Sequence, residues 1–568
     1  MFTETTAGNL AVVSEWIRQE GNAMPEYHPL IGLQNSVCAF VDPLHAERLS
    51  SELRRTGEGV DMPVQDGAPD KQQFFNLLEE YGVDFLMQQV MPGEAEHMAF
   101  LDEMMHHKRL GFLMANEFSN INLRFVPGTN RGDFSEAVAR RAKQHPGFLG
   151  FLYDETEHLQ VHPNIYRRDP SAPTRWQWAD PTGKSLQQLE DAVTGAVAAD
   201  CRRLESPLFS EHVFSILFHA FARGGMNLMP KLLKEEYQSV QLASALGAAV
   251  QYRVDFGLCV DMWGPDVGPW FTRFPGHSPE EFENGLKLAW HYSPSLMFVE
   301  NVDPLARFSR ECGFKDTEFG EIFRRFVKEY VPAHPLPYRF SEALADIAFV
   351  RADDGLFSAG GAFDGRTMYG SEELAIDEHH KSVFRAWHLL SQGTVPDDQI
   401  YYFGPRYETG KRHFPVTPET IRQLPLPNGV PRAPAEARHG LFYPMNGVLA
   451  FDQHLGYHQL EPAKLIVLAG SRATPGCVNA ILRRVSQGAT LVAVPWLMPP
   501  DCRHTRELGK GKMIISERFD EPELLDRIKH DLGSRETWSQ RFGAYRLVVR
   551  NPSGDGVRLD FAIEEGKP

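Results

Sequence analysis

The sequence predicts an α/β protein that begins with a (β/α)8 TIM barrel and continues into a second α/β domain and a small C-terminal β segment. Two observations predict this fold. Over about the first 335 residues, short β-type runs alternate with amphipathic helical stretches, a spacing typical of parallel βα units. After the proline-rich stretch VPAHPLPYRF, strand and helix signals start a new pattern. We place the three domains at residues 1–338, 339–535 and 536–568.

The barrel prediction depends on seven candidate strands and the helices between them. The strands are predicted at residues 31–40, 83–90, 111–115, 148–153, 227–233, 255–260 and 295–299. Helices are predicted at 71–81, 95–108, 210–222 and 278–291; a serine N-cap followed by glutamate begins each of the last two. We expect the eighth strand within residues 302–314 or near Tyr338. Seven strands with one missing fit a closed barrel better than an open sheet.

The second domain is predicted from a new series of strands and helices. Strands are expected at 347–351, 399–403, 464–470 and 490–494, and helices at 379–390 and 475–486. The order strand, helix, glycine, strand after residue 464 is typical of a flavodoxin-like or amidotransferase-like layer. Residues 411–438 hold six prolines and predict a long loop or a subunit-contact arm. Two runs at 545–550 and 557–563 flank a turn-rich link and predict a β-hairpin.

Composition and charge limit the possible partners. Lys and Arg total 58 and Asp and Glu total 75, so the net charge is −17, which disfavours nucleic acid and anionic membranes as partners. No apolar run approaches the roughly 20 residues of a membrane-spanning helix, and the N-terminus lacks the pattern of a secretory signal. Six cysteines without a C-x-x-C pair suggest reduced thiols and a cytoplasmic protein. We expect a neutral or polar small-molecule partner, no cofactor and no metal.

Acidic residues recur where the predicted strands end, which is where the active site of a parallel barrel lies. Asp154 and Glu155 follow the fourth predicted strand, and Glu300 and Asn301 follow the seventh. Two carboxyl groups across a pocket are what cleavage of a glycosidic bond requires: one protonates the leaving oxygen, and the other attacks the anomeric carbon or activates water. A helix N-cap at 154–155 and a salt bridge at Glu300 are the structural alternatives.

Other residues at the predicted strand ends are candidates for substrate contact. Glu117 could bind a sugar hydroxyl or pair with a basic side chain. Lys234 and Glu236 could contact the substrate or form an ion pair with each other. Asp261 and Trp263 could form a platform for a sugar ring, or the tryptophan could pack in a lid over the barrel.

With its acid-rich barrel, amidotransferase-like second domain and β tail, the chain resembles the family 42 β-galactosidases and their relatives in the large clan of barrel glycosidases. In that clan the acid/base is the Glu of an Asn-Glu pair ending strand four, and the nucleophile is a Glu ending strand seven. The resemblance therefore implies Glu155 as the acid/base, with Asp154 in place of Asn and Glu157 as a rival, and Glu300 as the nucleophile. Ser471 follows the buried strand where a glutaminase would carry Cys, which implies that glutaminase activity is absent.

These observations lead to one function and three alternatives. We expect a retaining glycoside hydrolase acting on an oligosaccharide or glycoside, with Glu155 and Glu300 as catalytic residues. The alternatives are an inverting glycosidase of a distant family, a barrel isomerase or lyase acting on a sugar or sugar acid with Lys234 as the base, and a carbohydrate-binding protein without activity. The second domain favours a homo-oligomer, either a dimer or a trimer. The expected substrate-binding residues are Asp154, Glu117, Lys234, Glu236, Asp261, Trp263 and Asn301.

Overall fold

The computed structural model of the chain describes most of both predicted α/β domains. The described residues are 13, 15–17, 28–35, 69–90, 93–107, 109–116, 134–157, 160, 179–233, 238–262, 278–302, 304–352, 367–369, 371–395, 397, 441–554 and 558–566.

Eight parallel strands form a closed barrel in which each strand pairs with the next and the eighth pairs with the first. They are β1 (Leu30–Gln34), β2 (Phe85–Val90), β3 (Gly111–Asn116), β4 (Phe148–Asp154), β5 (Leu208–His212), β6 (Asn227–Leu232), β7 (Gly257–Val260) and β8 (Leu296–Val299). Further sheets follow the barrel. The predicted fold class is therefore confirmed.

Helices connect the barrel strands. They are α1 (Lys71–Tyr81), α2 (Glu94–Met104), α3 (Glu136–Ala142), α4 (Leu186–Leu204), α5 (Phe218–Arg223), α6 (Gln238–Tyr252) and α7 (Pro279–His291). Capping boxes begin α1 at Asp70, α4 at Ser185 and α7 at Ser278, so local side chains satisfy the first backbone N–H groups of these helices. Of these three, α1 and α7 were predicted from the sequence, and α4 was not.

The position of the fifth barrel strand corrects two predictions. Residues 210–222 were expected to be a helix, but β5 includes Ser210 and ends at His212, and the helix α5 begins only at Phe218. The missing strand is thus β5 and lies neither within 302–314 nor near Tyr338. Residues in 302–314 form part of a small antiparallel hairpin outside the barrel, β9 (Ala306–Ser309) with β10 (Gly313–Asp316).

A six-stranded sheet forms the core of the second domain. Its strands and those of the smaller sheets are β11 (Ala343–Leu344), β12 (Ile347–Val350), β13 (Thr367–Met368), β14 (Ser371–Ala375), β15 (Val448–Phe451), β16 (Leu465–Leu468), β17 (Thr490–Ala493), β18 (Arg506–Leu508), β19 (Gly511–Ile515), β20 (Thr537–Phe542), β21 (Tyr545–Arg550) and β22 (Asp560–Glu565). The sheet order is β15-β12-β16-β17-β19-β18, with only β18 antiparallel to its neighbour. Its five parallel strands follow the order 2-1-3-4-5, which is flavodoxin-like.

The remaining helices flank this second sheet or extend the barrel. They are α8 (Glu318–Arg325), which continues through Phe326–Tyr330 and Val331–Ala333, then α9 (Glu378–Leu390), α10 (Tyr457–Leu460), α11 (Pro475–Ser486) and α12 (Pro522–Leu532). Short 3-10 turns occur at Phe340–Glu342, Pro495–Leu497 and Pro500–Cys502. The strand predicted at 399–403 and the arm predicted at 411–438 lie outside the described residues.

An antiparallel sheet with the order β11-β20-β21-β22 holds the C-terminal end of the chain. The hairpin predicted near 545–563 is β21 with β22. Five cysteines are described and form no disulfide; Cys38 lies outside the described residues. No helix within the described ranges is long and apolar enough to cross a membrane. The domain borders and the cytoplasmic location remain predictions.

Candidate active site

A layer of charged side chains covers the apolar interior of the barrel at the carboxyl ends of its strands. Side chains of a strand alternate between its two faces, so interior positions recur at every second residue. The apolar interior layer includes Leu152, Phe209, Met229, Cys259 and Phe298. Two residues further along the same strands stand Asp154, Glu211, Lys231, Asp261 and Glu300, all buried. The strand register therefore places one cation and four acids directly above the apolar core.

Lys231, on β6, is the centre of this layer. Its Nζ lies 3.3 Å from Asp154 Oδ1 and 3.3 Å from Glu155 Oε1. It lies 3.4 Å from Glu300 Oε2, 3.5 Å from Asp261 Oδ2 and 3.9 Å from Glu211 Oε1. The lysine side chain is only 2% exposed. Five carboxyl groups from four other strand ends thus surround a single buried ammonium.

The end of β4 supplies two of these acids because the chain turns sharply there. Consecutive residues of an extended strand point to opposite faces, so Asp154 and Glu155 could not both face the barrel interior from a straight strand. Glu155, however, has a φ of 48°, in the left-handed region that residues other than glycine seldom adopt. The turn brings both carboxyl groups within reach of Lys231.

The structure brings the two predicted catalytic residues, Glu155 and Glu300, together. Because an oxygen of each lies within 3.4 Å of the same nitrogen, these two oxygens are at most about 7 Å apart. Retaining glycosidases hold their two carboxyl groups about 5–5.5 Å apart, and inverting enzymes about 6.5–9.5 Å. This limit applies to the two oxygens nearest Lys231, and the retaining spacing lies within it.

Burial raises the pKa of two of the acids around Lys231. The pKa of Glu300 is raised well above its usual value, first by burial and then by the neighbouring charge of Asp261. The pKa of Glu211 is also raised, again chiefly by burial. Burial alone would lower the pKa of Lys231, but Asp154, Glu211, Glu300 and Glu155 together raise it well above the usual value. Lys231 therefore keeps its proton, and the raised pKa values favour the protonated forms of Glu211 and Glu300.

Glu157, the rival for the acid role, lies in a different environment. It is fully buried, and its Oε1 accepts hydrogen bonds from the backbone N–H groups of Val213 and Phe214, at 2.5 and 3.0 Å. Burial raises its pKa to about 8. This carboxyl group links the turn after β4 to the turn after β5.

Gln34 adds a neutral group to the site. It ends β1 beside Glu300, because Leu33 pairs with Val299 on the adjacent strand. Its side chain is completely buried, and neither amide atom has a hydrogen-bond partner among the described residues. Burying an amide without a partner is costly. A ligand hydroxyl could satisfy both its donor and its acceptor.

Among the described residues, two groups of side chains have a spacing that could suit a metal ion. Glu211, Cys259 and Glu300 form one, but the ammonium of Lys231 lies within 3.9 Å of both glutamates and would repel a second cation. Glu190, Asp452 and His454 form the other. Its Glu190 already accepts from Arg472 at 2.6 Å and pairs with Arg223 at 3.2 Å. Neither group favours a metal, and the absence of one remains a prediction.

The structure describes some of the sequence-predicted site residues and adds others. Asp154, Glu155, Asp261 and Glu300 meet at Lys231, and Asn301 follows directly, buried and with a φ of 72°. Four candidates, Glu117, Lys234, Glu236 and Trp263, lie outside the described residues.

Because β5 was not predicted, the later barrel strands were numbered one too low, and the family resemblance depended on that numbering. Since β5 was missed, Glu300 follows the eighth barrel strand, and the acid after strand seven is Asp261. The match of Glu300 to the nucleophile position of the barrel glycosidases was therefore wrong. Sequence reasoning also missed Glu211, Lys231 and Gln34. A spacing of two residues from the apolar residues Phe209 and Met229 would have indicated the first two.

Comparisons with known proteins find solved structures that are similar to this chain in fold but low in sequence identity. No family model matches the chain, and no curated protein sequence matches it. An exo-β-1,4-mannosidase from Opitutaceae bacterium strain TAV5 is 11% identical with a TM-score of 0.42, covering 83% of this chain and 78% of its own. An apo exo-carrageenase of family GH42 from Bacteroides ovatus is 11% identical with a TM-score of 0.43, covering 86% and 76%. A rhamnosidase from Novosphingobium sp. PP1Y is 12% identical with a TM-score of 0.31, covering 64% and 33%.

Glycoside hydrolases, including one of family 42, are thus among the solved structures similar to this chain, as the resemblance in the sequence implied. At these identities and TM-scores the similarity says nothing about activity.

Proposed function

We propose that the protein is a retaining glycoside hydrolase that acts on an oligosaccharide or glycoside through Glu155 and Glu300. The observation that carries this proposal is the convergence of five carboxyl groups on Lys231 at the carboxyl end of the barrel. The active site of a parallel barrel lies at this end. Paired carboxyl groups with different protonation states are what glycoside hydrolysis requires.

The environments of the two acids support a division of roles opposite to the one that the resemblance implied. Glu300 is deeply buried beside Asp261, which keeps its proton available for the glycosidic oxygen. Glu155 is the most exposed acid of the group, with 16% of its side chain accessible and the ammonium 3.3 Å away. In this scheme Glu155 attacks the anomeric carbon to form a glycosyl-enzyme. Glu300, now ionised, takes a proton from the water that releases the sugar.

The neighbouring residues would orient the sugar. Gln34, Asp154, Asp261 and Asn301 surround the pair or lie next to it. We retain Glu117, Lys234, Glu236 and Trp263 as further candidates for substrate contact. We also retain the cytoplasm as the location, which the cysteine pattern supports, and a homo-oligomer (dimer or trimer) as the assembly.

The isomerase or lyase alternative needs a lysine that can accept a proton. Lys234 lies outside the described residues. Lys231, three positions earlier, is held protonated by the acids around it and is a poor base. No described residue therefore favours this second candidate over the glycosidase.

The proposal is tested with a panel of nitrophenyl glycosides and single substitutions. The unsubstituted chain should cleave at least one glycoside, and Glu155→Gln and Glu300→Gln should each lower kcat by roughly 10²–10⁴-fold, the usual contribution of such a group. Asp255→Asn is the matched control. Asp255 precedes the amino end of β7, at the end of the barrel away from the site, and its carboxyl group accepts a hydrogen bond from the hydroxyl of Ser295. If either glutamate variant kept full activity and unfolded at the same temperature as the control, Glu155 and Glu300 could not be the catalytic pair.

Added azide then separates the two roles. In Glu155→Ala, azide should replace the missing nucleophile and give a glycosyl azide of inverted configuration. In Glu300→Ala, it should intercept the glycosyl-enzyme and give a product of retained configuration. The reverse pattern would restore the roles that the resemblance implied.

A further inference from the structure

We infer that Lys231 is a positioning residue whose ammonium determines which carboxyl groups of the charged layer carry a proton, and thereby assigns the acid role to Glu300 and the nucleophile role to Glu155. This inference rests on the proposed function, and it concerns a residue that the catalytic pair does not include.

Five carboxyl groups face one ammonium in this layer. They come from four strand ends: Asp154 and Glu155 from β4, Glu211 from β5, Asp261 from β7 and Glu300 from β8. If all five were ionised, four negative charges would remain uncompensated in a site where most side chains are less than a tenth exposed. Like charges this close disfavour ionisation of their neighbours. Some of the five must therefore stay protonated.

Depth in the barrel decides which groups those are. Glu211 and Asp261 are 1% and 0% exposed and form the floor of the layer, and Glu300 is 6% exposed. Cys259, also on β7, lies among them, and burial raises the pKa of its thiol, so it stays neutral. The side chain of Glu155 is the most accessible of the five carboxyl groups. Beside the single positive charge, the accessible Glu155 ionises most readily, and the more deeply buried Glu211 and Glu300 keep their protons.

The position of Lys231 is fixed by the fold. Met229, two residues earlier on β6, lies in the apolar interior, so the strand directs Lys231 into the layer above. The side chain of Gln241, on α6, donates to the backbone oxygen of Lys231 at 3.4 Å and to that of His212 at 2.9 Å. An ammonium held in place in this way acts on the reaction through the acids that it contacts.

The test compares Lys231→Met with Lys231→Arg in the full-length chain. Removing the charge should shift the acidic limb of the pH profile of kcat/KM upward by about one to three pH units, because an opposite charge at this distance lowers an acid's pKa by that amount. It should also lower kcat by roughly 10²-fold or more. Lys231→Arg should keep the limb in place. Lys287→Met, which removes an ion pair on the outer helix α7, is the control and should change neither.

A purely structural role would give a different result. If Lys231→Met lost stability or rate but kept its pH profile, the inference would be wrong. The inference would also be wrong if Lys231→Arg shifted the acidic limb of the pH profile as far as Lys231→Met does.

A second measurement does not depend on activity or on the folding of the Met variant. Carboxyl carbons of the unsubstituted chain are labelled with ¹³C and titrated by NMR, with Glu155→Gln and Glu300→Gln to assign the two signals. At pH 7 the Glu155 signal should be that of a carboxylate and the Glu300 signal that of a carboxylic acid. Two ionised signals would overturn the inference even in an active enzyme. Failure to cleave any glycoside would count against the proposed function alone.

Discussion

Glu157 lies two residues beyond Glu155, yet the two carboxyl groups have different surroundings. Glu155 faces the ammonium of Lys231, whereas Glu157 accepts from the backbone of the turn at 213–214. A short chain separation therefore does not make the two acids equivalent. We assign Glu157 a structural role, in which it joins the turns that follow β4 and β5.

Replacing Glu157 with Gln should leave turnover within a few-fold of the original and stabilise the fold at high pH. Its pKa is about 8 in the folded chain, against an ordinary value of 4.5. Between these values the folded state keeps a proton that the unfolded state has lost, so stability falls as the pH rises. Gln does not titrate, and the variant should gain up to about 5 kcal/mol relative to the original chain between pH 4 and pH 9.

Urea unfolding at these two pH values measures this difference, and the nitrophenyl assay measures turnover. Glu155→Gln serves as the comparison, since it should lose turnover without this change in stability. Loss of turnover in Glu157→Gln as large as in Glu155→Gln would identify Glu157 as a reacting acid and reject its structural role.

Individual strands and helices were predicted well where the local pattern decided them. The capped helices α1 and α7 agree closely with the sequence. The sequence failed at β5, because Ser210 followed by Glu211 is a good helix start by local criteria. Only closure of the barrel, which depends on pairing with β4 and β6, makes this segment a strand.

The same error explains what was missed in the candidate site. Reading 210–222 as a helix hid Glu211 and moved Glu300 from the eighth strand to the seventh. Lys231 looked no different in sequence from Lys234, because the acids around it come from strands up to 77 residues away along the chain. The spacing from Met229 indicates that Lys231 faces the interior, but only ring closure shows which acids surround it.

Helix α6 offers a test at the level of a single element. A Cβ built on Gly247 would lie 1.9 Å from the backbone oxygen of Ala450 on β15, so the glycine lets the helix approach this strand closely. Gly247→Ala must separate the two elements and should lower the free energy of unfolding by about 1–3 kcal/mol or more.

Gly195→Ala, in the exposed part of α4, is the matched control. A Cβ there meets nothing within 4 Å, and alanine should stabilise the helix by roughly 0.5–1 kcal/mol. Thermal unfolding of both variants measures these effects. If the two variants changed the unfolding temperature equally, α6 would not pack closely on β15.

Across the whole molecule, the barrel and the second sheet are joined by buried polar contacts as well as by α6. Asp452 accepts from Gln251 and Tyr252, each at 2.5 Å, and Arg472 donates to Glu190 at 2.6 Å. The Nε2–H of His219 donates to the backbone oxygen of Ala450 at 3.1 Å. Most of α6 is buried on all sides, which is typical of a helix inside a core and not at its surface. The predicted border at residue 338 therefore runs close to an extensive interface.

A chain that ends at residue 338 should consequently fail to form a stable barrel, although all eight strands precede that point. Truncation would expose the outer face of α6 and remove Arg472 from buried Glu190, which would keep its ion pair with Arg223. Loss of one of the partners of a buried charge is destabilising. We expect the fragment to aggregate or to lack a cooperative thermal transition in near-UV circular dichroism, while the full-length chain shows one. Arg472→Met in the full-length chain is the milder form of the same experiment and should lower the transition temperature without abolishing it. A fragment that unfolds cooperatively at the temperature of the full-length chain would mean that the barrel is self-sufficient, and that the contacts around Glu190 and Asp452 orient the second domain without stabilising the first.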